Sequence, residues 1–313
     1  MTTQSVDSAA PKLWLAAIKP PMYSVAIMPM VVGSAIAYAE TGQFNGSIFA
    51  LFLLSAVLIL AWENLSNDVF DADTGIDVNK AHSVVNLTRN RGLVFTLANL
   101  CLALGMVGIV AIALLQQDPT VLILILLCCG LGYLYQGPPF RLGYQGLGEV
   151  LCFFSFGPLA LGAAYYSQTQ SWSWGSQLVG VMVGLTTTLV LFCSHFHQVD
   201  DDLAAGKKSP IVRLGTQRGA ALIPWICGAV FAIAALGLGL GLLPLGAALV
   251  FVSLPSAWRL SRHVTRYHDQ PARVANAKFF AIGFHFWSGV MLSLGLWLSV
   301  YGLNVYGLRA YGG

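Results

Sequence analysis

Long apolar runs, separated by short polar segments, fill most of this chain. A helix that crosses a lipid bilayer needs roughly 20 predominantly apolar residues. Nine runs approach or exceed that length: 22–39, 47–66, 92–115, 120–136, 148–167, 177–197, 219–241, 243–258 and 276–303. A membrane β-barrel would instead show segments of about ten residues in which apolar and polar side chains alternate. The pattern therefore predicts an all-α, polytopic membrane protein with about nine transmembrane helices.

The composition supports this prediction. Of the 313 residues, 57% are hydrophobic and 9% are charged, whereas a soluble domain carries about 25% charged residues. We expect a disordered tail over residues 1–12 and a single transmembrane domain over residues 13–313. Two polar clusters, within 64–77 and 197–210, stand four predicted helices apart. That separation favours two related helical halves, about 13–145 and 146–313.

The basic residues test the number of spans. With nine spans, every one of the 16 lysines and arginines except Arg309 falls on one side of the membrane. Cytoplasmic loops are enriched in Lys and Arg, so this side is predicted to be cytoplasmic. The net charge of +3 is therefore a consequence of topology, and we expect no nucleic-acid partner. The six cysteines lie in apolar runs without the spacing of a metal site or a disulfide framework.

Two acidic clusters stand at the predicted cytoplasmic ends of the second and sixth spans. In the first cluster, Asn64, Asp68 and Asp71 are spaced i, i+4 and i+7, which places them on one helical face. Ser194, Gln198 and Asp201 repeat this spacing in the second cluster. Carboxylates at the C-terminus of a helix oppose its macrodipole and repel one another. A positive group is therefore expected between them.

Oxygen ligands of this kind suit a hard cation, Mg²⁺ in particular. Magnesium commonly binds one or two carboxylates and completes its coordination with water and phosphate oxygens. The two helix ends, if they face each other, would hold Mg²⁺ ions bridged by a diphosphate. Basic residues just beyond the clusters would neutralise the remaining phosphate charge: Lys80, Arg89, Lys207 and Lys208.

These motifs resemble those of a known family. NLSNDVFDADTGID (64–77) and HQVDDDLAAGK (197–207) resemble the two aspartate-rich motifs of the UbiA superfamily of intramembrane prenyltransferases. WLAAIKPPMYSVAIMPMVVGSAIAY, GPPFRLGYQGLGE and GKKSPIVRLGT are similar to the 1,4-dihydroxy-2-naphthoate prenyltransferases of the MenA type. HQVDDDLAAGKKSPIVRLG resembles the cyanobacterial and plant branch, whose members attach phytyl. One departure stands at Gln198, where the family commonly has an aspartate. Either Asp201 or Asp200 replaces it as the partner of Asp202, or one metal ion relies more on diphosphate and water.

The resemblance implies a prenyl (phytyl) diphosphate donor, a 1,4-dihydroxy-2-naphthoate acceptor and Mg²⁺ as cofactor, with loss of CO₂, in phylloquinone or menaquinone biosynthesis. It implies helices arranged around a central cavity that opens at the cytoplasmic face. The catalytic aspartates are expected to be Asp68, Asp71, Asp201 and Asp202, which together with Asn64 would hold the metal. Asn67, Lys80, Arg89, Lys207 and Arg141 are expected to contact diphosphate. The residues expected to contact the acceptor or to surround the metal ligands are Lys19, Gln198, Asp77 and Tyr135.

Several alternatives stay open at this point. Homogentisate phytyltransferase or chlorophyll synthase would differ only in acceptor recognition. A polytopic transporter is the rival from another class, although transporters commonly place charged sites near the bilayer midplane. His195 and His197 could serve as bases or extend toward the membrane surface, and we favour the second role. The segment 136–149 is expected to form a re-entrant or interfacial loop. The membrane is expected to be the cell inner membrane or the thylakoid, with the active site on the cytoplasmic side.

Overall fold

The computed structural model describes residues 10–76 and 83–305, and within these ranges every regular element is helical. The α-helices, numbered in chain order, are α1 (Ala10–Ile18), α2 (Ser24–Thr41), α3 (Gly46–Thr74), α4 (Val84–Thr88), α5 (Arg91–Gln116), α6 (Thr120–Gln136), α7 (Gly148–Phe154), α8 (Ala160–Thr169), α9 (Trp174–Ser194), α10 (Val199–Ala204), α11 (Pro210–Leu214), α12 (Thr216–Gly239), α13 (Leu254–Tyr267), α14 (Pro271–Val274) and α15 (Ala277–Val305). Four short segments have other helical forms: Pro20–Tyr23, His195–His197 and Leu245–Ser253 are 3₁₀-helices, and Ser155–Leu159 is a π-helical turn.

Most predicted spans coincide with long helices. Seven segments of the described chain are long and apolar enough to cross a membrane: Leu13–Thr41, Gly46–Thr74, Arg91–Gln116, Gly148–Thr169, Trp174–His197, Thr216–Gly239 and Pro271–Val300. The predicted fourth span corresponds to a shorter apolar helix, Thr120–Gln136. An all-α, polytopic membrane protein is therefore confirmed. The total of nine spans remains a prediction.

The predicted eighth span, 243–258, has a different form. It begins with the nine-residue 3₁₀-helix Leu245–Ser253 and continues into α13, which ends only at Tyr267. A 3₁₀-helix rises about 2.0 Å per residue against about 1.5 Å in an α-helix, so a short run covers more depth. Arg259, Arg262 and Arg266, expected in a loop, therefore lie on a helix.

Two glycines allow this 3₁₀-helix to touch α15. A Cβ on Gly246 would overlap the carbonyl oxygen of Gly295, and a Cβ on Gly295 would overlap that of Gly246. The Ser299 hydroxyl donates to Gly295 O at 2.9 Å and accepts from Gly246 N at 3.2 Å. Small residues permit such close backbone approach between membrane helices. Because neither glycine can take a side chain, the crossing fixes where the 3₁₀-helix lies.

The central helix of the fold is α2. Buried apolar side chains form two large clusters, and α2 contributes Val32 and Ile36 to one of them and Met30 to the other. The outer faces of α5 and α6 instead expose large side chains such as Leu114 and Leu127, as a lipid-facing surface requires. Since Lys19 directly precedes the 3₁₀-helix that leads into α2, it lies at the end of this central helix.

The π-helical turn brings α7 against α9. A Cβ on Gly157 of this turn would lie 2.6 Å from the carbonyl oxygen of Gly180 on α9. Pro158 lacks a backbone N–H and interrupts the regular helical ladder at the same place. The predicted span 148–167 is therefore two α-helices joined by a kink. Its first half carries Glu149 toward the end of α9.

At the end of the bundle remote from the aspartate clusters, neutral hydrogen-bond donors bind the acidic side chains. Tyr165 and Tyr166, adjacent on α8, donate to Glu40 Oε2 at 2.6 Å and to Asp118 Oδ2 at 2.7 Å. Ser173 donates to the other oxygen of Glu40 at 2.6 Å. Hydrogen bonds from Thr120 and Tyr166 lower the pKa of Asp118. These bonds satisfy the carboxylates of Glu40 and Asp118.

The glycine crossing yields a stability prediction. Gly295→Ala is expected to lower the thermal unfolding midpoint in detergent, because forcing an extra group into a packed interior costs roughly 1–3 kcal/mol. Gly130→Ala is the matched control, since a Cβ at that position of α6 meets no atom within 4 Å. An unchanged midpoint in Gly295→Ala would show that the two backbones are not in contact.

Candidate active site

The first cluster lies at the C-terminal end of α3. Asn64, Asp68 and Asp71 occupy successive turns of this helix, which ends at Gly75 with φ 76°. The glycine adopts the left-handed conformation common at helix ends. Asp68 is buried, with 1% of its surface exposed. The single helical face predicted for these three residues is confirmed.

Two donors from distant parts of the chain hold Asp68. Lys19 Nζ lies 3.2 Å from Oδ1, and the backbone N–H of Val84 donates to Oδ2 at 2.8 Å. Lys19 adopts a left-handed conformation (φ 53°) immediately before Pro20 and Pro21. This turn directs the ammonium group to α3. Lys19, which the resemblance assigns to the acceptor, is therefore also the counter-charge of a buried aspartate.

Asp71 is bound by the loop that follows α6. The Tyr144 hydroxyl lies 2.9 Å from Asp71 Oδ1 and 2.8 Å from Thr74 Oγ1. Burial and the negative charge of Asp71 raise the pKa of Tyr144 above its ordinary value. The phenol therefore stays protonated and can donate to the carboxylate. The loop 137–147 contains no regular helix, in agreement with the loop predicted there.

The second cluster differs from its predicted geometry. Ser194, Gln198 and Asp201 do not share a helical face, because α9 ends at Ser194 and a 3₁₀-turn precedes α10. A 3₁₀-turn advances by about 120° per residue, against about 100° in an α-helix, and so changes the helical phase of α10 relative to α9. As a result Asp202 is buried, at 1% exposure, while Asp201 is exposed. The in-phase expectation was wrong for this cluster.

Asp202 lies beside the imidazole of His195 and the ammonium group of Lys207. His195 Nδ1 is 3.1 Å from Asp202 Oδ2, and Lys207 Nζ is 3.6 Å from Oδ1. Burial would raise the pKa of Asp202, but the hydrogen bond with His195 and the charge of Lys207 hold the pKa below its ordinary value. The other ring nitrogen of His195 lies 3.4 Å from Glu149 Oε1. His195 thus separates two carboxylates.

The two clusters meet through Tyr144. Its hydroxyl binds Asp71, and the ammonium of Lys207 lies 5.6 Å from the centre of its ring. Its carbonyl oxygen accepts a hydrogen bond from the backbone N–H of Lys208 at 2.7 Å. Since Lys207 also pairs with Asp202, a continuous series of short contacts joins the aspartates of α3 and α10. Both clusters therefore lie at the same end of the bundle.

The remaining predicted residues are distributed unevenly. Asn67 and Gln198 are partly buried at this end, whereas Arg89 is exposed at the C-terminus of α4. Arg141 has a left-handed backbone (φ 43°), and its buried Nε has no hydrogen-bond partner. Tyr135 packs against the loop after α6: a Cβ on Gly143 would lie 2.6 Å from its ring. Asp77 and Lys80 lie outside the described residues.

Three residues of the site were not identified from the sequence. His195 was expected to extend toward the membrane surface, but it is 3% exposed and lies between Asp202 and Glu149. Tyr144 and Glu149 carried no assignment. The sequence feature that could have indicated them is a pair of carboxylates, Glu149 and Asp202, on separate segments that both end near the loop with Lys207 and Lys208. Their contact with one imidazole depends on the π-turn, which the sequence pattern does not show.

The residues present fit a magnesium–diphosphate group better than a bare metal ion. No group of three His, Cys, Asp or Glu side chains in the described ranges lies close enough to bind a metal unaided. The candidate donors are oxygens, and Mg²⁺ accepts few carboxylates when phosphate completes its shell. Several buried polar atoms here also lack a hydrogen bond: Asn64 Nδ2, Arg141 Nε, both Glu149 carboxylate oxygens and His197 Nδ1. An anionic, oxygen-rich ligand would satisfy the donors among them.

An apolar cavity adjoins the first cluster. It lies between α2, α3, α6 and the π-turn with about 60 Å³ of free space, and Phe52, Trp62 and Phe156 contribute to its wall. Among the described residues that line it, the one carboxyl group belongs to Glu63, the residue before Asn64. The arrangement places a water-poor, largely hydrocarbon space next to the aspartates of α3.

Comparisons with known proteins agree with this arrangement. The UbiA prenyltransferase family matches residues 26–289. The chain is 57% identical over 291 residues to a 2-carboxy-1,4-naphthoquinone phytyltransferase from Synechocystis sp., covering 93% of this chain and 95% of that protein. A chloroplastic protein of the same name from Arabidopsis thaliana is 45% identical over 91% of this chain and 77% of its own length.

Solved structures establish the fold. A UbiA homolog from Archaeoglobus fulgidus, bound to DMAPP and Mg²⁺, has a TM-score of 0.57 at 14% identity, over 90% of this chain and 99% of that chain. A UbiA homolog from Aeropyrum pernix K1 has a TM-score of 0.64 at 16% identity, over 90% of this chain and 98% of that chain. The fold and site thus define an integral membrane protein with a carboxylate-rich centre at one end of a helical bundle. The chain belongs to the UbiA prenyltransferase family.

The role of Tyr144 can be tested directly. Tyr144→Phe is expected to lower the rate of prenyl transfer about tenfold or more, since a hydrogen bond to a charged group contributes roughly 1.5–3 kcal/mol. Tyr133→Phe is the control, because its hydroxyl donates to the backbone oxygen of Pro138 at 2.7 Å on an exposed surface. Equal rates in the two variants would argue against Tyr144 as the link between the clusters.

Proposed function

We propose that this protein transfers a prenyl group, phytyl, from prenyl diphosphate to 1,4-dihydroxy-2-naphthoate, with loss of CO₂ and dependence on Mg²⁺. The names of its 57% and 45% identical relatives support the phytyl donor and the naphthalene acceptor. The observation that carries the proposal is the contact series from Asp71 through Tyr144 and Lys207 to Asp202. It gathers carboxylates and a cation around a space suited to a diphosphate.

The donor's diphosphate would be held between the two clusters. Asn64, Asp68 and Asp71 form one proposed metal-binding edge, and Asp202 with Asp201 the other. When bound, Mg²⁺ would supply the positive charge that stabilises the departing diphosphate. Lys207 and Arg141 are the proposed protein cations for the remaining phosphate oxygens, and Asn67, Arg89 and Lys80 complete this proposed set.

The chemistry requires no additional reactant. The allylic C–O bond breaks with its electron pair on the diphosphate, and an electron-rich ring carbon supplies the pair for the new C–C bond. The carboxylate then leaves as CO₂, and the electrons of its bond return to the ring. A naphthoate monoanion and a prenyl diphosphate trianion thereby give a neutral hydroquinone, CO₂ and pyrophosphate tetraanion. Charges and atoms balance without net proton transfer.

The protein's contribution is to hold the two substrates together and to exclude water. The apolar cavity beside α3 would receive hydrocarbon or the acceptor ring, and its aromatic wall would keep water from an allylic cation. Lys19, Gln198 and Tyr135 are the proposed neighbours of the acceptor, together with Asp77. Since Lys19 already pairs with Asp68, the acceptor's carboxylate would compete with that aspartate for the same ammonium group.

The oxidation level of the acceptor is part of the proposal. The relatives are named for a carboxynaphthoquinone, which has two electrons and two protons fewer than the dihydroxynaphthoate. A quinone ring is electron-poor and would attack a carbocation weakly. The dihydroxy form is therefore proposed as the nucleophile. We also place the reaction at the cytoplasmic face of the cell inner membrane or thylakoid, on the basis of the one-sided lysines and arginines.

An assay of purified protein tests the function. We expect the purified protein to form the demethylated precursor of phylloquinone from phytyl diphosphate and 1,4-dihydroxy-2-naphthoate only when Mg²⁺ is present. The release of CO₂ is measured in parallel. The quinone form of the acceptor is expected to react only after addition of a reductant. Preferred transfer to homogentisate or chlorophyllide would assign a different member of the family.

Two aspartates of α3 provide a matched pair for the metal assignment. Asp68→Asn is expected to abolish prenyl transfer and also the thermal stabilisation by Mg²⁺ with pyrophosphate. Asp73→Asn is expected to retain both, because Asp73 pairs with Arg91 at 2.6 Å on the exposed side of the same helix. Stabilisation by Mg²⁺ and pyrophosphate that survives in Asp68→Asn would contradict the proposed ligand role.

A further inference from the structure

A second large recess lies on the outer surface, between α12 and α13. It has a volume of about 590 Å³ and is open to the surroundings of the protein. Cys227, Phe231 and Ala257 form its buried floor, and Trp258 stands on its wall with 67% of its surface exposed. The floor is unobstructed at Gly228, since a Cβ there would meet no atom within 4 Å. We call this recess the α12–α13 groove.

Two arginines border the α12–α13 groove. Arg262 and Arg266 line it, and both are exposed. Within the described ranges neither has a carboxylate partner. Their positions on α13 are one turn apart, so the two guanidinium groups lie along the same edge. The groove therefore combines an apolar floor with a positive border.

The groove has the position expected of a membrane interface. α13 turns Leu260 and Val264 into the core and leaves Arg259, Arg262 and Arg266 outside, as an amphipathic helix does at a membrane surface. The short helix α11 connects the loop that carries Lys207 to the start of α12, where the Thr216 hydroxyl lies 3.1 Å from His268 Nδ1 at the end of α13. The groove therefore opens at the same end of the bundle as the aspartate clusters. Exposed tryptophans such as Trp258 and Trp225 are typical of the membrane–water interface.

We propose that the α12–α13 groove binds a glycerophospholipid with an anionic headgroup, taken from the adjacent leaflet. The phosphate diester would contact Arg262 and Arg266, whose planar guanidinium groups can each donate two hydrogen bonds to phosphate oxygens. An acyl chain would lie along Gly228 and Phe231. Basic pockets between membrane helices bind anionic headgroups in this way. The site is separate from the proposed prenyl transfer.

The prenyl diphosphate donor is a less suitable occupant. It is also an anionic amphiphile, but its diphosphate needs carboxylate oxygens to share a divalent cation. The lining of the α12–α13 groove includes no Asp, Glu, Asn or Gln among the described residues. A phosphate diester needs no metal, and two arginines satisfy its single charge.

Lipid retention by the purified protein tests the proposal. The protein in neutral detergent is titrated with phosphatidylglycerol or phosphatidylcholine, and bound lipid is counted by native mass spectrometry. We expect one phosphatidylglycerol to bind at least tenfold more tightly than phosphatidylcholine. In Arg262→Gln/Arg266→Gln this preference should disappear, while Arg259→Gln, on the same helix but outside the groove, should keep it.

Filling the groove provides an independent test that leaves the arginines in place. Gly228→Leu is expected to reduce phosphatidylglycerol binding at least fivefold, because its side chain would occupy the free floor. Gly130→Leu, at an equally unobstructed site on α6, should have no effect. This pair decides the question even if the double arginine variant does not fold.

Three results would overturn the proposal. Equal binding of both lipids would mean that only annular lipid is present. Undiminished phosphatidylglycerol binding in both the double arginine variant and Gly228→Leu would place the lipid elsewhere. Displacement of phosphatidylglycerol by geranylgeranyl diphosphate without Mg²⁺, or by inorganic pyrophosphate, would assign the groove to the donor or to free phosphate.

Discussion

The structure depends on the neutralisation of carboxylates that are buried at one end of a membrane-embedded bundle. Asp68 and Asp202 are each 1% exposed, and a buried charge without a partner is strongly destabilising. Each therefore has a lysine ammonium partner: Lys19, from a distant segment, for Asp68, and Lys207, from the following loop, for Asp202, which also contacts the His195 imidazole. The carboxylates that a divalent cation would need as ligands thus also determine the positions of α2, α3 and the loop after α10.

The irregular segments make this arrangement possible. A left-handed Lys19 before two prolines directs its ammonium group to α3, and the 3₁₀-turn His195–His197 rotates Asp202 inward. The loop after α6 supplies Tyr144, which contacts both clusters. Long helices set the depth of the polar groups in the bilayer. Short departures from α-helical geometry then aim the side chains at one another.

The sequence predicts side-chain positions correctly on the long helices and incorrectly across the irregular segments. Asn64, Asp68 and Asp71 were placed correctly on one face because α3 continues unbroken to Gly75, so that local periodicity decides their geometry. Ser194, Gln198 and Asp201 were not, because helix phase is lost across a 3₁₀-turn. The 3₁₀-helix Leu245–Ser253 was missed for a related reason: it depends on the contact of Gly246 with Gly295, about 50 residues away. Tyr144 and Glu149 required the tertiary fold itself.

The two ends of the bundle satisfy their acidic residues by different chemistry, and the difference indicates where a ligand belongs. Glu40 and Asp118 accept hydrogen bonds from Tyr165 and Tyr166, and such neutral donors leave the negative charge in place without demanding another cation. At the opposite end Asp68 and Asp202 have lysine ammonium partners on long, flexible side chains, in addition to the bond of Tyr144 to Asp71. An ion pair with a lysine can be exchanged for one with a metal or a phosphate, whereas the hydrogen bonds of Glu40 and Asp118 involve no cation that could be exchanged. The end with Glu40 and Asp118 is therefore suited to hold the helices together, and the end with Asp68 and Asp202 to bind and release a charged substrate.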